Sequence, residues 1–523
     1  MKSEHTTRLD RASLLAAKGA GDTEELHEIV IGRDVLELVS SAMYIDPMTV
    51  YREYIQNAAD SIDDARRRGL LLPDDSGEVT IAIDPSSRSI RIRDNGTGLS
   101  NSEFARKMAA LGASSKRGTS ARGFRGVGRL AGLGYAQELI FRSRTTAGEA
   151  VAELTWDCRK LKSALRQGDG DIESLIRSVA TLRKRPGGDF PERFFEVELR
   201  GVLRLRNDRL MSPAAVDEYL GQVAPVPFAP EFRFGEEIRS SLANVVDLGE
   251  LHIRIDGNDR PVYRPHRDVF VQEDGKSIVL DTLTVSQIPG IDGDIAAIAW
   301  IIHHDYEGAL PNSAGVKGLR LRCGNVQIGE HALLEELFPE TRFNSWAVGE
   351  IHVVDRKIVP NGRRDHFDQN AHYHNLTNQL APIARDIARR CRTSSVRRKW
   401  EREFDIHARS TVETLEVIAQ GALDVPARQK LALTAELSLT KVSRIAEMDV
   451  LSDGAEPLRE QAVLLRKRLD DLMTDDLVVA SPLARLPDQE RAQYETFFQL
   501  IYECSANRVV AKALVDKILA RLH

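Results

Sequence analysis

The sequence predicts an α+β protein in three parts: a layered α/β domain over residues 1–205, a mixed α/β region over 206–392 and a helical region over 393–523. Three observations predict it. A stretch of helical periodicity around 50–62 leads into two β-rich runs, 79–83 and 90–93, that read as a hairpin. Further strand-like runs, separated by helical and loop segments, continue to about residue 354. From about 393 onward the apolar spacing is almost wholly that of helices. At 523 residues the chain is also too long for one ordinary core, which favours several domains.

Residues 24–69 read as helices. Val50, Tyr54, Ile55, Ala58, Ala59 and Ile62 recur at helical spacing after a break at Asp46 and Pro47. Asp46 suits an N-cap and Pro47 a first helical position. Between the two β-rich runs lies Asp84-Pro85-Ser86-Ser87, a turn-forming sequence. Residues 100–137 mix short helical stretches with dense glycine. Strand-like runs follow at 139–144, 150–155 and 194–199, then at 251–255, 296–303, 318–322 and 349–354. The first helix of the last region is strongly charged, and apolar periodicity returns at 458–472 and 509–522. There is no internal repeat and no long low-complexity linker.

Composition narrows the function classes. Hydrophobic residues make up 42% and charged residues 29%, as expected of a globular chain. A net charge of −6 gives no general attraction to nucleic acid. The four cysteines, Cys158, Cys323, Cys391 and Cys504, lie far apart with no zinc-type spacing, as expected of reduced thiols. The N-terminal MKSEHTTRLDRASLL lacks the apolar stretch of a signal peptide. No apolar run approaches the roughly 20 residues of a membrane span. A cytoplasmic location is therefore expected.

Three short segments carry the chemistry. The first is EYIQNAAD at 53–60, where Glu53, Asn57 and Asp60 are four and three residues apart and share one helix face. The second, DNGTG at 94–98, follows a strand directly. The third, GFRGVG at 123–128, opens a helix at Arg129, Leu130 and Ala131, an arrangement in which backbone amides can approach an anion. The last does not have the Walker A spacing, because no Gly-Lys-Ser/Thr follows. A dinucleotide-binding fold would place such a loop after the first strand, whereas here it follows a helix and a hairpin. Each segment alone is ordinary: a solvated helix face, a turn, a glycine loop. Their order and spacing together are specific.

In that order and spacing they resemble the N, G1 and G2 boxes of the GHKL superfamily, which includes gyrase-type topoisomerases, ninety-kilodalton heat-shock chaperones, histidine kinases and MutL proteins. The resemblance covers residues 30–205 and implies a two-layer Bergerat-type ATPase sandwich that binds ATP and Mg2+. It implies that Glu53 is the general base for the attacking water. Asn57 would coordinate magnesium, Asp94 would accept from the adenine amino group, Gly96 and Gly98 would let the base lie on the backbone, and Asp60 would support that end of the pocket. Gly126 and Gly128 would cradle the phosphates, within a binding segment that includes Gly123 and Val127. Lys116, in LGASSK, resembles a lid lysine that reaches a phosphate. One feature departs from the family: many relatives place a threonine on the strand after the G2 region to support the adenine-binding aspartate, and the run at 194–199 has none.

Position within the chain separates the branches. Histidine kinases usually carry this domain at the C-terminal end and lack the water-activating glutamate; here it is N-terminal and Glu53 is present. The segment VVDRKIVPNGRRD at 353–365 resembles the middle domain of the heat-shock branch, which implies that Arg364 or Arg363 reaches the terminal phosphate. Lys317 or Arg320 is the alternative cation, by analogy with the DNA-acting branch. The expected protein is a divergent, shorter, HtpG-like ATPase acting on a protein client or partner subunit, as a homodimer. A DNA-remodelling ATPase of the MutL or topoisomerase-accessory kind is the alternative. The basic run at 385–402, from Arg385 to Arg402, is its best support, and a solvated helix with acidic partners is the plainer reading of that run. A third reading is a nucleotide-binding sensor with little turnover in a defence or stress system.

Overall fold

Strand alternation builds the N-terminal part of the computed structural model, which describes residues 46–72, 75–109, 128–167, 172–205, 207–272, 275–452, 454–474 and 482–522. Contacts divide the chain into two compact units. The first takes residues 1–266, 322–328 and 352–368, and the second takes the remainder. The sequence suggested boundaries at 205 and 392. Strand pairing draws 252–255 into the first unit's sheet, and one continuous helix runs through 392.

In the first unit, helix α1 (Thr49–Arg67) precedes the hairpin β1 (Glu78–Asp84) and β2 (Ser89–Asp94), whose register pairs Ile83 with Ile90 and Asp84 with Ser89. The turn at 84–87 is locked by Asp84, whose Oδ1 and Oδ2 accept from the hydroxyls of Ser86 and Ser87. Helix α1 begins two residues later than expected. Asp46 closes the preceding turn, with its Oδ1 accepting from Met48 N at 3.1 Å and its carbonyl from Thr49 N. Helix α2 (Asn101–Ala109) follows. The helix expected from Arg129 is a 3₁₀ helix, Gly128–Gly134.

Next come β3 (Glu138–Arg144), β4 (Val151–Asp157), α3 (Cys158–Gln167), α4 (Ile172–Val179), β5 (Ala180–Arg185) and β6 (Phe194–Arg200). Helices α5 (Pro213–Val223) and α6 (Gly235–Ala243) lead to β7 (His252–Ile255). The sheet order is β5-β4-β3-β6-β2-β1-β7, antiparallel except where β7 joins β1 in parallel. Ile81, Ile92, Leu139, Phe141, Leu154, Trp156, Val197 and Leu199 share one buried cluster with Ile55, Ala58, Ala59 and Ile62 of α1. The alternate strand positions carry charge: Arg91, Arg93, Arg142, Glu153, Glu196 and Glu198.

The second unit contains a small hairpin, β8 (Val269–Val271) with β9 (Ser277–Val279), and strands β10 (Thr282–Pro289), β11 (Ile295–His303), β12 (Gly318–Cys323) and β14 (Val348–Val353), adjacent in the order β10-β11-β14-β12. A short strand β13 (Val326–Ile328) belongs to the first unit's share of the chain. Strand β11 is buried along almost its whole length, which explains its unbroken apolar run. Helix α7 (Ala371–Ala419) extends for 49 residues from an Asn370 cap, which accepts from Tyr373 N. Helices α8 (Val425–Ala446), α9 (Ala455–Leu472), α10 (Asp488–Cys504) and α11 (Arg508–Leu522) complete it. Burial pushes the Cys158 and Cys391 thiols up to about 12, so both are inert at neutral pH.

Candidate active site

Helix α1 presents its polar residues on one face because its apolar residues are committed to the sheet. Glu53 and Asp60 are each 6% exposed, and Asn57 is half-buried. The Asn57 side chain makes no hydrogen bond among the described residues. Gly128 abuts Glu53 so closely that a Cβ there would collide with the carboxylate. Only glycine lets the end of the glycine-rich segment approach in this way. Next to it, Tyr54 of α1 accepts at 2.9 Å from Gly132 N of the 3₁₀ helix, pinning the segment from below.

The turn after β2 is tied to α1 and to the sheet. Asp94 is buried, and its Oδ1 accepts from Gly96 N at 2.9 Å. Gly96 packs against Ser61, whose hydroxyl accepts from Thr97 N at 3.1 Å. Gly98 lies in the left-handed region at φ +62°, facing the carbonyl oxygens of Arg144 and Phe194. Arg193 donates through Nε to the Gly96 carbonyl at 2.9 Å. Strand β6 is where the sequence placed it, beside β2. Its missing threonine has a neighbour in Ser143 of β3, which accepts from Leu99 N at 2.8 Å and donates to the Phe194 carbonyl. Ser143 thus braces the turn, although no bond to Asp94 is among these.

A second element supplies positive charge. The loop at 359–368 doubles back through Asp368 N to the Val359 carbonyl and Asn361 N to the His366 carbonyl, and it holds Arg364 at φ +56°. A left-handed arginine is strained, and such strain is concentrated where side-chain aim matters. Arg364 Nε lies 3.7 Å from Glu53 Oε1, with both side chains nearly buried. From the other side Arg52 Nη2 stands 3.8 Å from the same oxygen and donates to the Arg363 carbonyl at 2.8 Å. Of the two loop arginines, Arg364 therefore faces Glu53, whereas Arg363 is exposed and contributes its backbone. Lys317 and Arg320 lie in the second unit. Lys317 donates to Asn312, and burial draws Arg320 down to about 10 with Glu350 nearby.

Lys116, Gly123, Gly126 and Val127 lie outside the described residues. Sequence reasoning missed Arg52, Ser61, Arg193 and Gln56. Arg52 and Gln56 had a signal, being one and three residues from Glu53 on the same helix, but Ser61 and Arg193 had none. Among the described residues, several buried atoms lack a hydrogen-bond partner: Arg52 Nε, Glu53 Oε1, both amide atoms of Gln56, and Arg129 Nε and Nη2. Buried polar atoms are rarely left so. Donors beside a glycine segment, an open Asn57 amide and a buried Asp94 fit a nucleoside triphosphate with magnesium.

Residues 46–180 match the family described as histidine kinase-, DNA gyrase B- and HSP90-like ATPase. Similar curated proteins include the chaperone protein HtpG of Methylibium petroleiphilum, 28% identical over 197 residues, which are 35% of this chain and 31% of that protein. HtpG of Methylorubrum populi is 36% identical over 106 residues, 19% of this chain and 17% of the relative. HtpG of Nitrosospira multiformis is 23% identical over 287 residues, 47% of this chain and 44% of the relative. The chain thus spans from 17% to 44% of the length of these relatives. Residues 46–180 are an HSP90-like ATPase domain, and part of the chain is distantly similar to HtpG chaperones.

Proposed function

We propose that the protein binds ATP with magnesium and hydrolyses it in a conformational cycle that acts on protein partners. The observation that carries this is Glu53: a buried carboxylate on α1 whose Oε1 accepts no hydrogen bond among the described residues and is faced by Arg364 at 3.7 Å. In this reading Glu53 takes a proton from water as the water oxygen attacks the terminal phosphorus. The bond from that phosphorus to the bridging oxygen breaks, and ADP leaves. Arg364 and Arg52 offset charge that builds on the phosphoryl oxygens. Asp94 holds the adenine amino group, Asp60 supports that end, and Gly96, Gly98 and Gly128 allow close backbone approach. Magnesium, which Asn57 would hold, offsets phosphate charge when bound.

Three further parts of the reading concern the whole protein. The arginine run favours a protein partner over DNA, because Arg389 and Arg390 pair with Asp386, Arg392 with Glu340 and Arg397 with Glu401. The helical region at 393–523 leaves Leu433, Leu437, Val463 and Leu464 more than 60% exposed, which supports homodimerisation or partner binding there. A cytoplasmic setting is in keeping with cysteines that form no disulfide among the described residues. Among the described residues no helix is long and apolar enough to cross a membrane.

Steady-state ATP hydrolysis and nucleotide binding, measured for wild type and Glu53→Ala, test the assignment. Wild type should turn over, and Glu53→Ala should bind ATP while losing at least a hundredfold in kcat. Normal turnover by Glu53→Ala would unseat the base, and absence of ATP binding by both proteins would unseat the site.

A further inference from the structure

Gln56 is 1% exposed, and neither its Oε1 nor its Nε2 has a hydrogen-bond partner among the described residues. A primary amide buried in this way costs free energy in the resting protein. A chain whose only demand at this position were packing would be better served by leucine or methionine. On α1 it lies three residues after Glu53, four after Arg52 and four before Asp60, so it shares their face. Asn57 occupies the opposite flank of Glu53, and Gln56 lies on the flank toward Arg52. At the neighbouring positions of that face Glu53 Oε1 accepts no hydrogen bond and Arg52 Nε donates none among the described residues. A water at this point would meet all three needs, since it both donates and accepts, and the amide offers a donor and an acceptor on one planar group.

We propose that Gln56 positions the attacking water against the terminal phosphate, its Oε1 accepting a hydrogen bond from the water O–H that Glu53 does not deprotonate and its Nε2 donating a hydrogen bond to a phosphoryl oxygen. This rests on the assignment of Glu53 as the base and adds a residue to it. During hydrolysis one water proton passes to Glu53, the water oxygen bonds to phosphorus, and the bond to the bridging oxygen of ADP breaks. Gln56 neither gains nor loses a proton. Its contribution is orientation, which is expressed in kcat and leaves ground-state nucleotide affinity nearly unchanged.

The test is the kinetics of full-length Gln56→Met, which keeps the shape and removes both polar atoms, with Gln56→Leu as a second apolar variant. ATP turnover, ATP affinity and Tm are read for each beside wild type and Glu53→Ala. The expected result is a kcat lower by about tenfold to a hundredfold, with ATP affinity within about threefold of wild type and Tm equal or higher, because an unpartnered buried amide has gone. A role in packing alone would move Tm and leave kcat in place. Turnover within twofold of wild type in both Gln56 variants, with Glu53→Ala inactive, overturns this inference and leaves the base standing. Turnover by Glu53→Ala as well, or none by wild type, overturns both.

Discussion

Glycines at the site differ in what a side chain would meet, and that difference separates chemistry from stability. At Gly128 the obstacle is the carboxylate of Glu53, the movable end of a side chain. Gly128→Ala is relieved by displacing Glu53, so turnover should fall at least tenfold while the fold loses only about 1 kcal/mol. At Gly98 the obstacles are the backbone oxygens of Arg144 and Phe194, and φ is +62°. Gly98→Ala has no movable neighbour and should cost about 1–3 kcal/mol of stability. Paired ATPase assays and thermal melts check both. A kcat for Gly128→Ala equal to wild type would mean that Glu53 does not act from its observed position. Glu53, Asn57, Asp60, Asp94, Gly96, Gly98 and Gly128 could be singled out as candidates in the sequence because helical spacing and turn chemistry are local. Arg364 was legible only as one of two neighbours, since the left-handed backbone that aims it is set by the loop closing on itself.

Among the elements, the seven-stranded sheet has an unusual second face. Strand register sets Arg142 of β3 directly opposite Glu153 of β4 and Glu196 of β6. Its guanidinium bonds Glu153 and Glu196 at 2.7 Å and Glu198 at 2.5 Å, with its side chain only 4% exposed. Arg91, Arg93, Arg185 and Arg200 also form ion pairs with the three carboxylates. Removing one member of a buried set strands the others, so Arg142→Met should destabilise the first unit by about 3–5 kcal/mol. Burial works to raise the Glu198 carboxyl, but hydrogen bonds from Arg200 and Arg142 outweigh it and hold the group below its ordinary range. A depressed folded-state value contributes stability above the unfolded pKa of about 4.3, and that stability is lost as pH falls through the folded value. The Tm difference between wild type and Arg142→Met should therefore narrow below about pH 4. A difference that stays constant from pH 7 to pH 3 would show that the network is not titrating as described. None of this was visible in the strands' sequences, because the network depends on which strands pair.

For the whole molecule, the proposed homodimer makes the exposed apolar residues of the helical region a target. Leu433 and Leu437 are one turn apart on α8 and 62% exposed each. Two large aliphatic side chains left to water at helical spacing are unfavourable unless a partner covers them. Leu433→Glu combined with Leu437→Glu should leave the α8 core of Leu439, Val442 and Ile445 intact. It should shift the full-length protein from dimer toward monomer in light scattering, with Tm changed by no more than a few degrees. An unchanged mass removes this face from the interface.

The sequence by itself determined strands β1 to β4, β6, β7, β11, β12 and β14 and the helical C-terminal region, and it singled out the three candidate segments, because periodicity, turn residues and box spacing are properties of neighbouring residues. It did not determine the grouping of the chain. Strand β7 joins β1 across more than a hundred residues of sequence, and α7 continues through the boundary expected at 392. Nor did it show that Arg364 and Arg52 flank Glu53, or that the Gln56 amide is buried with no hydrogen-bond partner among the described residues. Those facts depend on which distant segments close over α1, and hydrophobic burial and strand pairing settle that only once the whole unit has packed.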